Sequence, residues 1–381
     1  VIYLDHNATT PLDHRVLETM LPYLENEWGN PSSPYRFASR ARIAIERARN
    51  QIGECAGCKP EEIIFTSSGT ESDNLAVRGT AYALRSRGRH IVTTAIEHHA
   101  VLNTCKALES EGFRVTYLPV NSAGTVSIKE LENNLTPETI LVTVMHANNE
   151  TGVLQSVREI ANLTQKRSIP FHTDAVQTAG KIPYSLCELG AGLISFSGHK
   201  LYGPKGIAAL YVHEKTPLAP ILTGGAQEKG LRAGTENVAG IMGLAHAYSL
   251  AVESADREYK RLENLRDRFE ERICTAIPGT KINGTGVPRI PNTTNISFDS
   301  VDGESIVLGL DLRGICVSTG SACSTGEPEP SHVLVAMGLS SKEAQGSIRI
   351  SLGRDTGEEE MDTALEAFSD TIKHLRSISS V

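Results

Sequence analysis

Apolar residues follow two rhythms along the chain. Short runs rich in β-branched and aromatic residues occupy 63–66, 90–95, 114–118, 140–145, 169–173, 193–196 and 207–212, and each reads as a strand. Stretches whose apolar positions return every three or four residues cover about 13–25, 36–53, 71–85 and a segment ending near 112, and these read as helices. Strands alternating with helices predict an α/β fold on a mixed, mostly parallel sheet. Ligands of such sheets gather at the carboxyl ends of the strands.

Residues 224–237 are rich in glycine and keep neither period, which predicts a long loop. A helix is expected over about 239–276, charged on one face and broken once. Beyond it, strands at 293–298, 315–318 and 347–352 and helices at about 302–312 and 358–376 predict a second, smaller α/β domain. The expected division is an N-terminal segment, 1–14, packing with the small domain, a large ligand-binding domain, 15–250, and the small domain, 251–381.

The strand ends carry the candidate chemistry. Ile194-Ser-Phe-Ser-Gly-His-Lys200 sets a lysine at a strand end, before the Gly203-Pro204 turn. Ser197 and His199 are groups of the kind that bind phosphate, and a lysine beside a phosphate site suggests a Schiff base with pyridoxal phosphate (PLP). The plain alternative is a solvated lysine in a turn. A P-loop fails on spacing, because Pro204 stands where that motif needs lysine. Upstream, Ser67-Ser-Gly69-Thr70 turns a strand into a helix. Its first N–H groups either hold an anion or are simply capped. His98 follows another strand, placed to stack on an aromatic ring or to cap a helix. Asp174 ends a buried strand, which is costly for an unpaired carboxylate. A protonated pyridine nitrogen pairs it and keeps the ring an electron sink. Asn149 and Gln177 then stand near the ring hydroxyl, and Ser197 and His199 join Thr70 at the phosphate.

Two further residues stand apart. Cys323 lies in Thr319-Gly-Ser-Ala-Cys-Ser-Thr-Gly-Glu-Pro-Glu-Pro330, a polar loop where a cysteine is out of place as packing and plausible as a nucleophile. Arg349 alternates with apolar neighbours and forms either a salt bridge or a fork for a substrate carboxylate. Cys55-Ala-Gly-Cys58 has no second pair and reads as a turn between helix and strand.

Bulk composition narrows the class. With 37 basic and 45 acidic residues the net charge is −8, evenly spread, which argues against a nucleic-acid partner. No apolar run approaches a membrane span, and the first residues do not form a signal peptide. Seven scattered cysteines do not make a disulfide framework. A cytoplasmic enzyme with reduced thiols is expected.

These motifs resemble the class V aminotransferase-fold cysteine desulfurases that supply sulfur for iron–sulfur clusters. The resemblance runs nearly end to end, through Tyr3-Leu-Asp-His-Asn-Ala-Thr-Thr-Pro11, Gly29-Asn-Pro-Ser-Ser33, Phe65-Thr-Ser-Ser-Gly-Thr-Glu71, Glu97-His98, His146-Ala-Asn-Asn-Glu150, Asp174-Ala-Val-Gln177, Ser197-Gly-His-Lys200, Arg232-Ala-Gly-Thr235 and Ser318-Thr-Gly-Ser-Ala-Cys323. It implies a fold type I PLP enzyme with Lys200 on the cofactor, His98 against the ring and Asp174 on its nitrogen. It implies Gly69, Thr70, Ser197 and His199 at the phosphate, and Asn149 and Gln177 near the ring oxygen. Thr235 is expected at the phosphate of the other subunit, hence a homodimer, with Arg349 at the substrate carboxylate and Asn149 also at the substrate. L-cysteine is the implied substrate and Lys200 the base. Cys323 is the implied sulfur acceptor, passing a persulfide to a scaffold protein and lending a ligand to an iron–sulfur cluster formed there. A selenocysteine lyase, a cysteine-sulfinate desulfinase or a transaminase uses the same PLP site. A sulfur-carrying protein without turnover is the alternative outside enzymes. Ser68 replaces a common glycine, and Tyr35 and Ala38 replace a usual His and Gly.

Overall fold

The structure is a computed structural model that describes residues 1–319 and 330–379. In chain order it runs β1 (Ile2–Tyr3), α1 (His14–Glu25), α2 (Arg36–Ala56), β2 (Ile63–Thr66), α3 (Gly69–Leu84), β3 (His90–Thr94), α4 (His99–Ser110), β4 (Arg114–Leu118), α5 (Ile128–Asn134) and β5 (Thr139–Thr143). It continues through α6 (Val157–Lys166), β6 (Phe171–Asp174), β7 (Leu193–Ser197), β8 (Ala208–Val212) and α7 (Val238–Ala276). The remainder is β9 (Thr280–Asn283), β10 (Thr293–Phe298), α8 (Gly303–Asp311), β11 (Ile315–Cys316), α9 (His332–Ala336), α10 (Ser341–Gln345), β12 (Ser347–Ser351) and α11 (Glu358–Ser379).

Among the described residues the large sheet has the order β2-β8-β7-β6-β5-β3-β4. Only β8 runs against its neighbours; the other pairings are parallel. Its central strands are buried along their whole length, as expected of a sheet covered by helices on both faces. Because β8 reverses direction, β2 again runs parallel to β7, so the carboxyl ends of β2, β3, β5, β6 and β7 share one edge. A second sheet, β12-β10-β9, is antiparallel, and β1 pairs in parallel with β11.

Two apolar clusters dominate the interior. One packs the large sheet against Ile241, Leu244 and Tyr248 of α7, where the rings of Tyr248 and Phe196 lie 5.3 Å apart. The other gathers Leu262, Leu265, Phe269 and Ile273 of the same helix with β10, β12 and α11, and takes in Leu4 from the N-terminal segment. Helix α7 is continuous over 39 residues, so the break expected in it is absent. The reason is compositional: no proline occurs within it, and its glycines fall in the first turns, at Gly240 and Gly243. Its apolar positions keep a three-to-four spacing into the second cluster.

Helices α5 and α6 and strand β9 go beyond the sequence expectation. Helix α6 has a clean buried stripe, Val157, Ile160, Ala161 and Thr164. Strand β9 is only four residues long and gains its place by pairing with β10, a contact that a local pattern does not announce.

Candidate active site

Five loops at the shared sheet edge build one cavity of about 260 Å³. After β2, Ser68 caps α3, its Oγ accepting the Glu71 N–H at 3.1 Å. Ser68 therefore serves the turn where a glycine is usual. The N–H groups of the next residues belong to the first helical turn, which has no intrahelical acceptors. A side chain at Gly69 would bring its Cβ within 2.9 Å of Val176, so this turn needs glycine. After β3, His98 caps α4, its Nδ1 accepting the Ala100 N–H at 3.1 Å. That bond leaves the ring proton on Nε2. Burial, reinforced by the Lys200 charge, holds the imidazole neutral, with a pKa of about 4. The loop after β5 brings Asn149, and β6 ends on Asp174 with Gln177 one turn beyond. Strand β7 ends on Ser197 and leads through a short 3-10 turn to His199 and Lys200. Nine sequence-predicted residues thus meet around one space: Gly69, Thr70, His98, Asn149, Asp174, Gln177, Ser197, His199 and Lys200.

The electrostatics of this cavity are incomplete in the protein alone. Asp174 is buried, and among the described residues its Oδ1 accepts only the Val176 N–H, at 2.8 Å. No ion pair engages it among the described residues, and burial raises its pKa to about 6. Among the described residues, the buried hydroxyl of Ser197 has no hydrogen-bond partner. Lys200 donates to the carbonyl oxygens of Ala8, at 2.7 Å, and Asn7. Burial, followed by the charge of Arg349, lowers its pKa to about 8. An unpaired carboxylate, an orphaned hydroxyl beside a helix N-terminus, a neutral imidazole and a depressed amine suit an aromatic ligand bearing a basic ring nitrogen, an aldehyde and a phosphate. PLP has each of these groups.

The sequence matches an aminotransferase class-V family model over residues 2–363. It is 49% identical over 378 residues to a cysteine desulfurase IscS of Dictyoglomus turgidum, covering 99% of this chain and 96% of that one. A cysteine desulfurase of Nostoc sp. is 48% identical over 379 residues, covering 100% and 94%. The chain belongs to the cysteine desulfurases of the class-V aminotransferase family. Among solved structures, one described as a NifS-like protein superposes with a TM-score of 0.92 at 40% identity, covering 98% of this chain and all of that one. Membership makes PLP the implied cofactor of this desulfurase.

Other predicted residues lie outside the cavity wall. Arg349, on β12, pairs with Asp5 at 2.7 Å and donates to the Asn149 carbonyl at 3.3 Å. The salt-bridge reading of this arginine is therefore realised, while among the described residues its buried Nε has no partner. Thr235 is exposed on the 224–237 loop. Cys323 lies outside the described residues.

The desulfurase site also recruits residues that sequence reasoning passed over. Asn7 is a hub: its carbonyl accepts from Lys200 and from Gln177 Nε2, the latter at 3.0 Å, and its Nδ2 donates to Thr293 at 2.8 Å and to the Asn149 carbonyl at 3.1 Å. Lys181 donates to Gln177 Oε1 at 3.2 Å, and burial lowers its pKa to about 7. The polar run Asp5-His-Asn carried a visible signal; Lys181 carried none.

Proposed function

We propose that the enzyme converts L-cysteine to L-alanine and moves the sulfur to Cys323 as a persulfide. The observation that carries this reading is the meeting of Lys200, His98 and an unpaired, buried Asp174 at one cavity. Lys200 anchors PLP, which when bound supplies an electron sink conjugated to the substrate Cα. Asp174 keeps the ring nitrogen protonated and His98 stacks on the ring. Gly69, Thr70, Ser197 and His199 hold the phosphate, and Asn149 and Gln177 the ring hydroxyl. Lys200, whose amine is readily neutral in this buried setting, takes the Cα proton. Arg349 orients the substrate carboxylate. The Cys323 thiolate then attacks the substrate sulfur; the C–S bond breaks with its electron pair staying on the carbon skeleton, the new S–S bond forms, and the skeleton takes a proton at Cβ and regains one at Cα to leave as alanine.

The acting form is a homodimer in which Thr235 reaches the phosphate of the partner's cofactor. Its exposure in the single chain supports this, as do the exposed apolar residues Leu24, Trp28 and Tyr35 near one another in sequence. The persulfide passes to an iron–sulfur scaffold protein, where Cys323 serves as a ligand to the forming cluster. Free cysteines throughout the described residues accord with a cytoplasmic site of action.

L-cysteine turnover by the parent and by Cys323→Ala tests the reading, with alanine and sulfide both measured. The variant should form neither above background. Alanine production at the parent rate would remove the persulfide from the scheme, and release of selenide or sulfite alone from the corresponding substrates would favour a lyase or desulfinase.

A further inference from the structure

The turn after Lys200 is strained and clamped from outside the large sheet. Tyr202, two residues beyond the lysine, has φ 61°, a left-handed conformation that is uncommon for a bulky side chain. Such strain persists only where surrounding contacts over-determine it, and here they do. The Tyr202 N–H donates to Thr10 Oγ1 at 2.8 Å, and its carbonyl accepts the Asp13 N–H at 3.0 Å. From the opposite side comes Arg354, beyond β12. Its guanidinium lies 4.0 Å from the centroid of the Tyr202 ring, and its backbone N–H donates to the Tyr202 hydroxyl at 2.7 Å. Arg354 is itself fixed, by Asp13 Oδ2 at 2.7 Å. Arg261 of α7 holds the Arg354 carbonyl at 2.8 Å and the Thr356 carbonyl at 2.7 Å.

The clamp reaches Lys200 by two routes. The chain itself is one, since a single residue separates Lys200 from Tyr202. Thr10 is the other: its N–H and its hydroxyl both donate to the His199 carbonyl, each at 2.9 Å. The same N-terminal segment supplies the Asn7 and Ala8 carbonyls that receive the lysine amine. Tyr202, Arg354 and Asp13 also line a second cavity, and Lys200 borders both this one and the cofactor cavity.

We propose that Tyr202 is a positioning residue for Lys200, and that Arg354 stacked on its ring holds the lysine turn in its strained, cavity-facing form. This rests on Lys200 being the cofactor lysine, though the test does not. The ring stack is the main contact, because a guanidinium over an aromatic face is favourable without fixing hydrogen-bond geometry.

The test reads Lys200 directly. The full chain, freed of cofactor, is reductively methylated with formaldehyde and dimethylamine–borane as hydride donor across a range of pH, and labelling at Lys200 is followed by mass spectrometry. In the parent the midpoint should fall near 8. In Arg354→Met and Tyr202→Ala the released turn lets water reach the amine, and the midpoint should climb by about 1 unit or more toward the ordinary lysine value. Tyr202→Phe keeps the stack and should stay near the parent. PLP affinity, read by titration, should weaken about tenfold in the first two variants and little in the third, following the retained stack. A Lys200 midpoint that stays at the parent value in Arg354→Met while thermal stability falls would show the clamp to be structural only and overturn the proposal. So would an equal rise in all three variants. Should Tyr202→Ala fail to fold, the Arg354→Met and Tyr202→Phe pair decides alone. Absence of PLP binding by the parent would instead defeat the function proposed above and leave the Lys200 titration valid.

Discussion

Arg349 and Asp5 meet at 2.7 Å, joining strand β12 to the N-terminal segment. The arginine is almost fully buried, and the Asp5 carboxylate faces its charge. Among the described residues, one guanidinium nitrogen, the buried Nε, has no partner. As the proposed anchor of the substrate carboxylate, Arg349 would exchange its Asp5 bond for the substrate, beside the Asn149 carbonyl. Replacing Arg349 by Lys should raise KM for L-cysteine about tenfold or more, because a lysine cannot offer parallel planar donors. The kcat should change less. Steady-state alanine formation checks this, and an unchanged KM would take Arg349 out of substrate binding.

Cofactor uptake should report the Lys200 amine. A lysine attacks an aldehyde only as the neutral amine, and burial brings its pKa down to about 8. Below that value the neutral fraction falls about tenfold for each pH unit. The rate at which the cofactor-free enzyme takes up PLP should rise with that slope and level off above about 8. A profile still climbing toward 10 would mean the amine is not shielded.

Asp174 should weaken the empty protein while serving the loaded one. Burial raises its folded pKa to about 6, above the unfolded carboxylate value. A raised acid leaves stability intact below the unfolded pKa, near 4, and removes it as pH rises through the folded value. The removal is complete above about 6 and amounts to roughly 2–3 kcal/mol. Cofactor-free Asp174→Asn should therefore be more stable than the parent at pH 7 and lose that advantage near pH 4. The same variant should bind PLP more weakly. Denaturant melts at the two pH values, with a PLP titration, check both halves.

Arg49 and Glu228 form a buried pair that shapes the 224–237 loop. Glu228 accepts from both terminal guanidinium nitrogens of Arg49, at 2.8 and 2.9 Å, and from the Phe65 N–H at 2.9 Å. It does so with φ 44°, followed by Lys229 at φ 57°. Arg49→Ala leaves the carboxylate buried and unpaired, and should destabilise the fold by about 3–5 kcal/mol. Chemical denaturation measures it; a loss under about 1 kcal/mol, the range of an exposed pair, would contradict the burial.

Much of this protein was legible along the chain. Strand, helix and strand-end residues follow from local pattern, since a parallel sheet exposes its carboxyl ends to ligand and demands apolar runs beneath them. Asp174 announced itself as a carboxylate closing a buried run, and Ser197, His199 and Lys200 as a polar cluster ending another. Tertiary structure alone decided which backbone atoms receive the Lys200 amine: the Ala8 carbonyl is 192 residues away in sequence, and a carbonyl oxygen carries no residue signature. It alone joined Asp5 to Arg349 and set Lys181 beside Gln177. Local spacing states what a segment can become; which distant polar groups it must satisfy once water is gone depends on the packed chain.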